Sequence, residues 1–436
     1  MYDIVIIIDK SSFQLLSFQE LLKLSQYYKH NVTPILVMEI IGDLKKEMGE
    51  GKNPSDARVK DFAVKLFPTS TILNGYYEQL VREDLMGNHP NLDGRPHVGV
   101  EKTVRSETGM RGFVVEETEQ QKAIYKWRDG HFTEADHALS AAWRSSTTEE
   151  GVLEKLQSTL KNDYGKIKLS STEELITLVE KVVSNPDNQD KFLATLIANY
   201  GIDEATGMQI FYKWQQAGRP LIHEFAPYAC HCLKVDLCFL FGLQSHLIGT
   251  RATNRVDMEY LYYIPFCHVF TSNDNFHKHI APLFLRPDQV FVDGNELKKD
   301  LKLIVEHLNA GGQELKVKHV NEPPVIEESL TFQLWKKYFA YPEQSNWNRN
   351  LSEKEMEYVK RKMDEFEKAA ANGEEITWSG KEGEEPEFIL RRSYLSKYDP
   401  CYCGSGKRVI DCCLPEEEFN KRAKNFYQGK VKRDVQ

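Results

Sequence analysis

Residues Ile4 to Ile8 are five consecutive β-branched side chains with no helical period. Such a run predicts a short strand buried on both faces, as in the middle of a parallel sheet. It stops at Asp9, and Ser11 and Ser12 follow, residue types that favour turns and helix caps. A carboxylate at the carboxyl end of a central parallel strand sits where open α/β sheets place their chemistry. The rest of the chain is therefore read for groups that belong with Asp9.

The second segment with that character is Asn31 to Leu44. Thr33 suits an N-cap and Pro34 a first helical residue, so a helix is expected to start there. Glu39 and Asp43 are four apart and share one face of it. Two acids on a helix are usually a solvated face, but Ile35, Leu36, Val37, Met38, Ile40 and Ile41 make this one apolar almost all round. A helix of that kind is largely buried, and its acids then need a partner or a metal. Much later, Asn254 can cap a helix from Arg255 to Tyr263 with Asp257 in its first turn. Cys267 to Thr271 reads as a buried strand ending in Ser272, Asn273 and Asp274, so a second strand delivers a carboxylate at its carboxyl end. A helix through His277 to Phe284 and a third strand at Gln289 to Val292 follow.

Between these segments the patterns are mostly helical: Phe13 to Tyr28, Ala57 to Leu85, Gln120 to Trp143, Leu175 to Val183, Lys191 to Tyr200, Gly207 to Trp214 and His223 to Phe241. Gly87 to Gly112 is polar and rich in glycine and proline, an irregular excursion whose Arg95, His97, Lys102, Arg105 and Arg111 are either phosphate contacts or plain exposed charge. Cys230, Cys232 and Cys238 sit among apolar neighbours and read as buried thiols rather than ligands.

Three or four carboxylates around a small pocket are what metal-dependent phosphodiester hydrolysis needs. They hold hard divalent cations through oxygen, and the metal lowers the pKa of bound water and neutralises developing charge. The order of elements and acids resembles the PIN-domain nuclease family over Ile4 to about Leu44 and Arg251 to about Asp300. The resemblance implies that Asp9, Glu39, Asp257 and Asp274 are catalytic acids binding Mg²⁺ or Mn²⁺. Asp9 and Asp274 would hold the metal directly, with Asn273 or Asp43 assisting. Arg251 and Arg255, beside Asp257, are either phosphate contacts or surface charge. Lys10 stands between the first aspartate and the serines, a departure from the family pattern. Asp9-Lys10-Ser11 also begins the metal-site pattern of von Willebrand A-type domains, but Phe13 occupies the required second serine position. No glycine-rich turn follows the first strand, which disfavours a Rossmann cofactor site.

The carboxyl-terminal part begins with a linker, Asn309 to Pro324, then a helix near Ser329 to Phe339 and a charged helix from Glu353 to Ala371. Gly373 to Glu387 is acidic and reads as flexible. Cys401, Cys403, Cys412 and Cys413 then lie within thirteen residues around Gly404-Ser405-Gly406. Four thiolates satisfy a tetrahedral Zn²⁺ with no open position, so this zinc is expected to be structural, and so short a module needs it to fold. The stretch resembles the SEC-C motif, although Val409 and Asp411 replace its usual aromatic and basic residues. That resemblance implies docking on a protein or on the ribosome, and a bacterial source.

The net charge of −9 excludes a basic, sequence-blind nucleic-acid coat while leaving room for a local basic groove. No apolar run approaches the roughly 20 residues that span a bilayer, and Asp3 and Asp9 interrupt any signal-peptide pattern. A cytoplasmic setting with reduced cysteines is therefore expected. The resulting expectation is an α/β protein: a PIN-like parallel-sheet core over 1–66 and 221–308, interrupted by a mostly helical insertion over 67–220. A linker and charged helix (309–390), a zinc module (391–416) and a charged tail (417–436) follow. The expected function is metal-dependent endonucleolytic cleavage, of RNA rather than DNA by family resemblance, in keeping with a toxin or anti-phage effector. The alternative is a non-catalytic adaptor that binds RNA or ribosomes while the zinc module recruits a partner.

Overall fold

A computed structural model describes residues 4–46, 55–66, 71–98, 118–149, 151–164, 167–310 and 323–339, and the backbone of four further strand segments, 101–105, 111–115, 375–379 and 387–391. The chain divides into two compact units, Met1–Tyr338 and Phe339–Gln436.

In the first unit, β1 (Ile4–Ile8) is buried along its whole length. It lies at the centre of a five-stranded parallel sheet with β2 (Tyr28–Val32) and β3 (Thr71–Leu73) on one side. On the other side lie β6 (Val269–Ser272) and β7 (Val290–Asp293), giving the order β3-β2-β1-β6-β7. The strand order reverses direction at β1 and β6, so the crevice beyond their carboxyl ends is the topological switch point where open α/β sheets bind ligands. Ile6 pairs with Val269 and Ile8 with Thr271. That register brings Asp9 and the Ser272–Asp274 turn to the same edge, and the Asp9 N–H donates to the Thr271 carbonyl at 3.1 Å.

The strand β2 overturns the expectation of a helix running through Tyr28. Its sequence, Tyr-Lys-His-Asn-Val, hides a buried strand behind polar residues: His30 and Asn31 are both buried, and the Asn31 amide donates to the Phe266 carbonyl at 2.8 Å. Short helices α1 (Lys10–Leu15) and α2 (Phe18–Leu24) fill the stretch before it, each capped by the side chain just ahead of it, Asp9 and Ser17. The helix expected from Pro34 is α3 (Pro34–Gly42), with Thr33 accepting from the Leu36 N–H. Helix α4 (Ser55–Leu66) precedes β3, so the sheet's edge strand lies beyond residue 66, inside the stretch expected to be helical.

The long excursion between β3 and β6 holds α5 (Tyr77–Leu85), a hairpin of β4 (Glu101–Arg105) and β5 (Arg111–Val115), and α6 (Glu119–Arg128) through α14 (Asn254–Leu261). Residues 87–98 are irregular, as expected of Gly87 to Gly112, whereas the hairpin takes up the later part of that stretch and continues past it. The longest of these helices, α13 (Pro227–Gln244), packs on α5, α8 (Val152–Tyr164), α9 (Thr172–Val183) and α14. Cys230, Cys232 and Cys238 lie on it as buried free thiols, and burial pushes the first and last up to about 12. Helix α14 begins at Asn254, whose side chain does not cap it but donates to the Gly249 carbonyl. After α15 (Asn275–Ile280), α16 (Gly294–Ala310) packs on α1 and α2. Gly294 is required there: a Cβ would run into the Ser12 side chain and lie 3.3 Å from Asn273 Cβ. Asp300 on α16 caps α17 (Leu330–Phe339) by accepting from the Leu330 and Thr331 N–H groups.

In the second unit, β8 (Glu375–Ser379) and β9 (Glu387–Arg391) form an antiparallel hairpin; β8 lies in the stretch expected to be flexible, and β9 begins at its last residue. The four cysteines expected to bind zinc, Cys401, Cys403, Cys412 and Cys413, and the helix expected over Glu353 to Ala371 lie outside the described residues. Among the described residues, no helix is long and apolar enough to cross a membrane.

His30 makes the sheet acid-sensitive. Both ring nitrogens are buried without a hydrogen-bond partner among the described residues, and burial pushes the imidazole down to about 3. Because the unfolded chain binds a proton near pH 6.5 and the folded chain does not, this group's contribution is complete above pH 6.5 and is lost as the pH falls towards 3. Between pH 6.5 and pH 5 the loss should be on the order of 2 kcal/mol. Urea denaturation at both pH values checks it: His30→Leu should flatten that part of the stability profile.

Candidate active site

Asp9 is the N-cap of α1 as well as the end of β1, and the capping geometry fixes its carboxylate. Its Oδ1 accepts the Ser12 N–H at 2.9 Å. The Ser11 hydroxyl lies 2.9 Å from Oδ1 and 2.7 Å from Oδ2, and the Ser272 hydroxyl donates to Oδ2 at 2.7 Å. The two serines are also acceptors: Ser11 Oγ takes the Asn273 N–H at 2.9 Å and Ser272 Oγ the Asp274 N–H at 3.0 Å. One carboxylate thus ties the first strand end to the turn that carries Asn273 and Asp274.

His277, on α15, completes this anchor. The ring is buried, with Nδ1 2.9 Å from Ser272 Oγ and 3.4 Å from Asp9 Oδ2. Its Nε2 lies 2.7 Å from the Asp257 carbonyl oxygen, which only accepts, so Nε2 carries a hydrogen. The Ser272 hydrogen is directed at Asp9, so Nδ1 carries one as well, and the ring is an imidazolium. Burial opposes that charge, but Asp9 beside it, with Asp257, lifts His277 to about 9. Burial likewise works to raise the Asp9 carboxyl. His277 and the bonds from Ser12 and Ser272 outweigh it and hold Asp9 below the usual carboxylate range.

The other acids gather around this centre. Glu39 Oε2 accepts the Tyr260 hydroxyl at 2.5 Å. Burial pushes the Glu39 carboxyl up to about 7, with Asp257 and Asp9 repelling its charge and Lys10 and Tyr260 opposing the rise. Asp257 is pushed up to about 6, chiefly by burial and by Asp274, against the pull of His277 and Arg251. Asp274 caps α15 by accepting the Phe276 N–H through Oδ1 at 2.7 Å. The Arg251 guanidinium bridges two of the acids, 3.0 Å from Asp257 Oδ2 and 3.5 Å from Asp274 Oδ2. Asn273 also lies at the site, its side-chain oxygen accepting from Asn295 at 2.5 Å. A groove of 570 Å³ bordered by Arg251, Asn273, Asp274, Phe276 and His279 leads away from this point.

Two sequence candidates fall elsewhere. Asp43 is buried one turn beyond Glu39 in an ion-pair network, 3.0 Å from Lys10 Nζ and 3.1 Å from Arg58 Nε, the second without hydrogen-bond alignment. Arg255, two residues from Asp257 and so on the opposite side of α14, pairs with Glu259 at 3.4 Å and lies over Phe239. Sequence reasoning missed Lys10, Tyr260, Ser272 and His277 as site residues. In the sequence Lys10 has no partner in view, yet its Nζ reaches the Glu39 carbonyl at 2.7 Å as well as Asp43. His277, three residues after Asp274, carried no signal before the fold was known.

Whether these residues suit a divalent cation is decided by their chemistry. The donors are all hard oxygens, and like charges crowd Glu39 and Asp257. Arg251 already serves as a cation between Asp257 and Asp274. Asp9 receives three donors, Ser11, Ser12 and Ser272, and faces the His277 imidazolium, so its roughly four lone-pair positions are largely taken. As drawn, no group of three His, Cys, Asp or Glu side chains among the described residues is close enough to enclose an ion. In kind, these oxygen donors suit Mg²⁺ or Mn²⁺; in position, they do not enclose one. Set against protein-family models, curated proteins and solved structures, the chain matches none.

Lys10 is the test of Asp43's place in this arrangement. Lys10→Met leaves Asp43 buried with Arg58 as its one ion-pair partner among the described residues, so the protein should lose about 2–3 kcal/mol in urea denaturation, less than the full cost of stripping a buried pair. Lys10→Met combined with Asp43→Leu should recover part of that loss.

Proposed function

We propose that the chain is a metal-dependent endonuclease of PIN type that cleaves single phosphodiester bonds in RNA. The observation that carries this reading is the convergence of Asp9, Glu39, Asp257 and Asp274, from four separate elements, on the crevice at the switch point of a parallel sheet. A structural role for four acids would call for a matching set of cations, as Asp43 has. These four share Arg251, Lys10 and His277 instead.

In this reading Asp9 and Asp274 hold Mg²⁺ or Mn²⁺, with Glu39 and Asp257 completing the set. When bound, the ion supplies an activated water and neutralises charge on the phosphate. Glu39, with its carboxyl near 7, is suited to accept a proton at Oε2 close to neutral pH, and Tyr260 holds that oxygen in place. Arg251, exposed beside Asp257 and Asp274, would be the residue that meets a phosphate. Asn273 lines the groove along which the strand would run. The zinc module formed by Cys401, Cys403, Cys412 and Cys413 docks the enzyme on a protein or a ribosome, consistent with a bacterial toxin or anti-phage effector.

Full-length protein should cleave labelled single-stranded RNA in Mn²⁺, DNA poorly, and neither in EDTA. Asp9→Asn and Asp274→Asn should each slow cleavage by about a thousandfold, the scale of several kcal/mol of metal-borne stabilisation. Asp274 is the less buried of the two, so its variant separates lost chemistry from lost folding. The adaptor alternative rests on Arg251, which fills the gap between two of the acids. RNA or ribosome binding without cleavage, and without Mn²⁺ uptake, would establish it. Metal analysis should find about one Zn²⁺ per chain in wild type and in Asp9→Asn, lost in Cys412→Ser.

A further inference from the structure

Helix α14 has a second face that the nuclease reading does not use. Asp257 and Tyr260 look towards the acids, whereas Arg255 and Tyr262, just past the helix end, border a cavity of 460 Å³. Its remaining wall includes Tyr77, Tyr200, Phe239, Glu78 and Asp236. Tyr77 stacks obliquely on Tyr262 with centroids 4.5 Å apart and meets Tyr200 edge-on at 6.3 Å. The cavity already stations one cation on an aromatic ring, the Arg255 guanidinium 6.0 Å from the Phe239 centroid, and Glu259 neutralises it. Arg255 also attracts Asp236 at longer range. Among the described residues, however, no cation stands at ion-pair distance from Asp236 or Glu78, and one guanidinium faces three carboxylates, Glu259, Asp236 and Glu78. Asp236 Oδ1 accepts the Tyr262 hydroxyl at 2.5 Å, and neither its second oxygen nor the Glu78 carboxylate has a hydrogen bond or ion pair among the described residues.

We propose that this cavity binds a small organic cation of the alkylamine or diamine class, its ammonium held by Asp236 and Glu78 and its methylene body lying on the tyrosines. Two carboxylates beside aromatic faces suit an ammonium through charge-assisted bonds and cation–π attraction. An anion would meet uncompensated carboxylates. A divalent metal ion would find only two carboxylates where it needs a shell of charged oxygens, and among the described residues no three His, Cys, Asp or Glu side chains are placed to hold one.

The test is isothermal titration calorimetry of the full-length protein with putrescine as probe, and with 1,4-butanediol, the same chain without charge. Putrescine should bind saturably and the diol not at all. Asp236→Asn, which keeps an acceptor for Tyr262, should weaken putrescine about tenfold or more, the scale of one lost bond to a charged group. Glu78→Gln, at a half-exposed position, should weaken it in the same direction and guards against a folding defect in the first variant. Asp9→Asn should bind putrescine as wild type does. No saturable binding, equal binding of the diol, or affinity that falls in Asp9→Asn but not in Asp236→Asn or Glu78→Gln would overturn the assignment. None of these readings depends on nuclease activity, so failure here and failure of the nuclease reading are separable.

Discussion

The carboxylate of Asp9 is the joint on which the first unit depends. It ends the central strand, caps the following helix and, through Ser11 and Ser272, holds the backbone of the β6 turn. Burying a carboxylate is costly unless its oxygens are satisfied. Here three donors and an adjacent imidazolium satisfy it. The same bonds that make burial tolerable also position Asn273 and Asp274, so the anchoring of the fold and the placement of the candidate site are one network.

Around that joint the acids are held by too few cations. Lys10 is committed to Asp43 and to the Glu39 carbonyl, His277 to Asp9, and Arg251 is divided between Asp257 and Asp274. Burial and mutual repulsion raise Glu39 and Asp257 as a result. Raised carboxyls of this kind cluster at functional sites, and it is this strain among the acids that the proposed function draws on.

The long excursion between β3 and β6 is part of this centre. Its last helix, α14, supplies Asp257, Tyr260 and the carbonyl that fixes the His277 ring. It is held from behind by α13 and by the tyrosines around Tyr77 and Tyr262. The helical insertion therefore sets where one of the four acids stands, and the tyrosine-lined cavity on its far side abuts the same helix.

Sequence alone determined the elements whose physics is local. The Ile4–Ile8 run is a buried strand because five β-branched residues have few alternatives, Thr33-Pro34 starts a helix because cap and first-turn preferences coincide, and the chain is α/β because buried strands alternate with helices. The acids at strand and helix ends were legible for the same reason. Tertiary structure decided what depends on distant partners. Tyr28–Val32 is a strand only because β1 pairs with it and Phe266 offers a carbonyl to Asn31. Asp43 and Glu39, four apart in the chain, part ways because Lys10 and Arg58 pair with the first carboxylate and Tyr260 donates to the second. His277 and Ser272 acquire their place from a hydrogen-bond network that closes across more than 260 residues of chain, a separation over which no spacing rule operates.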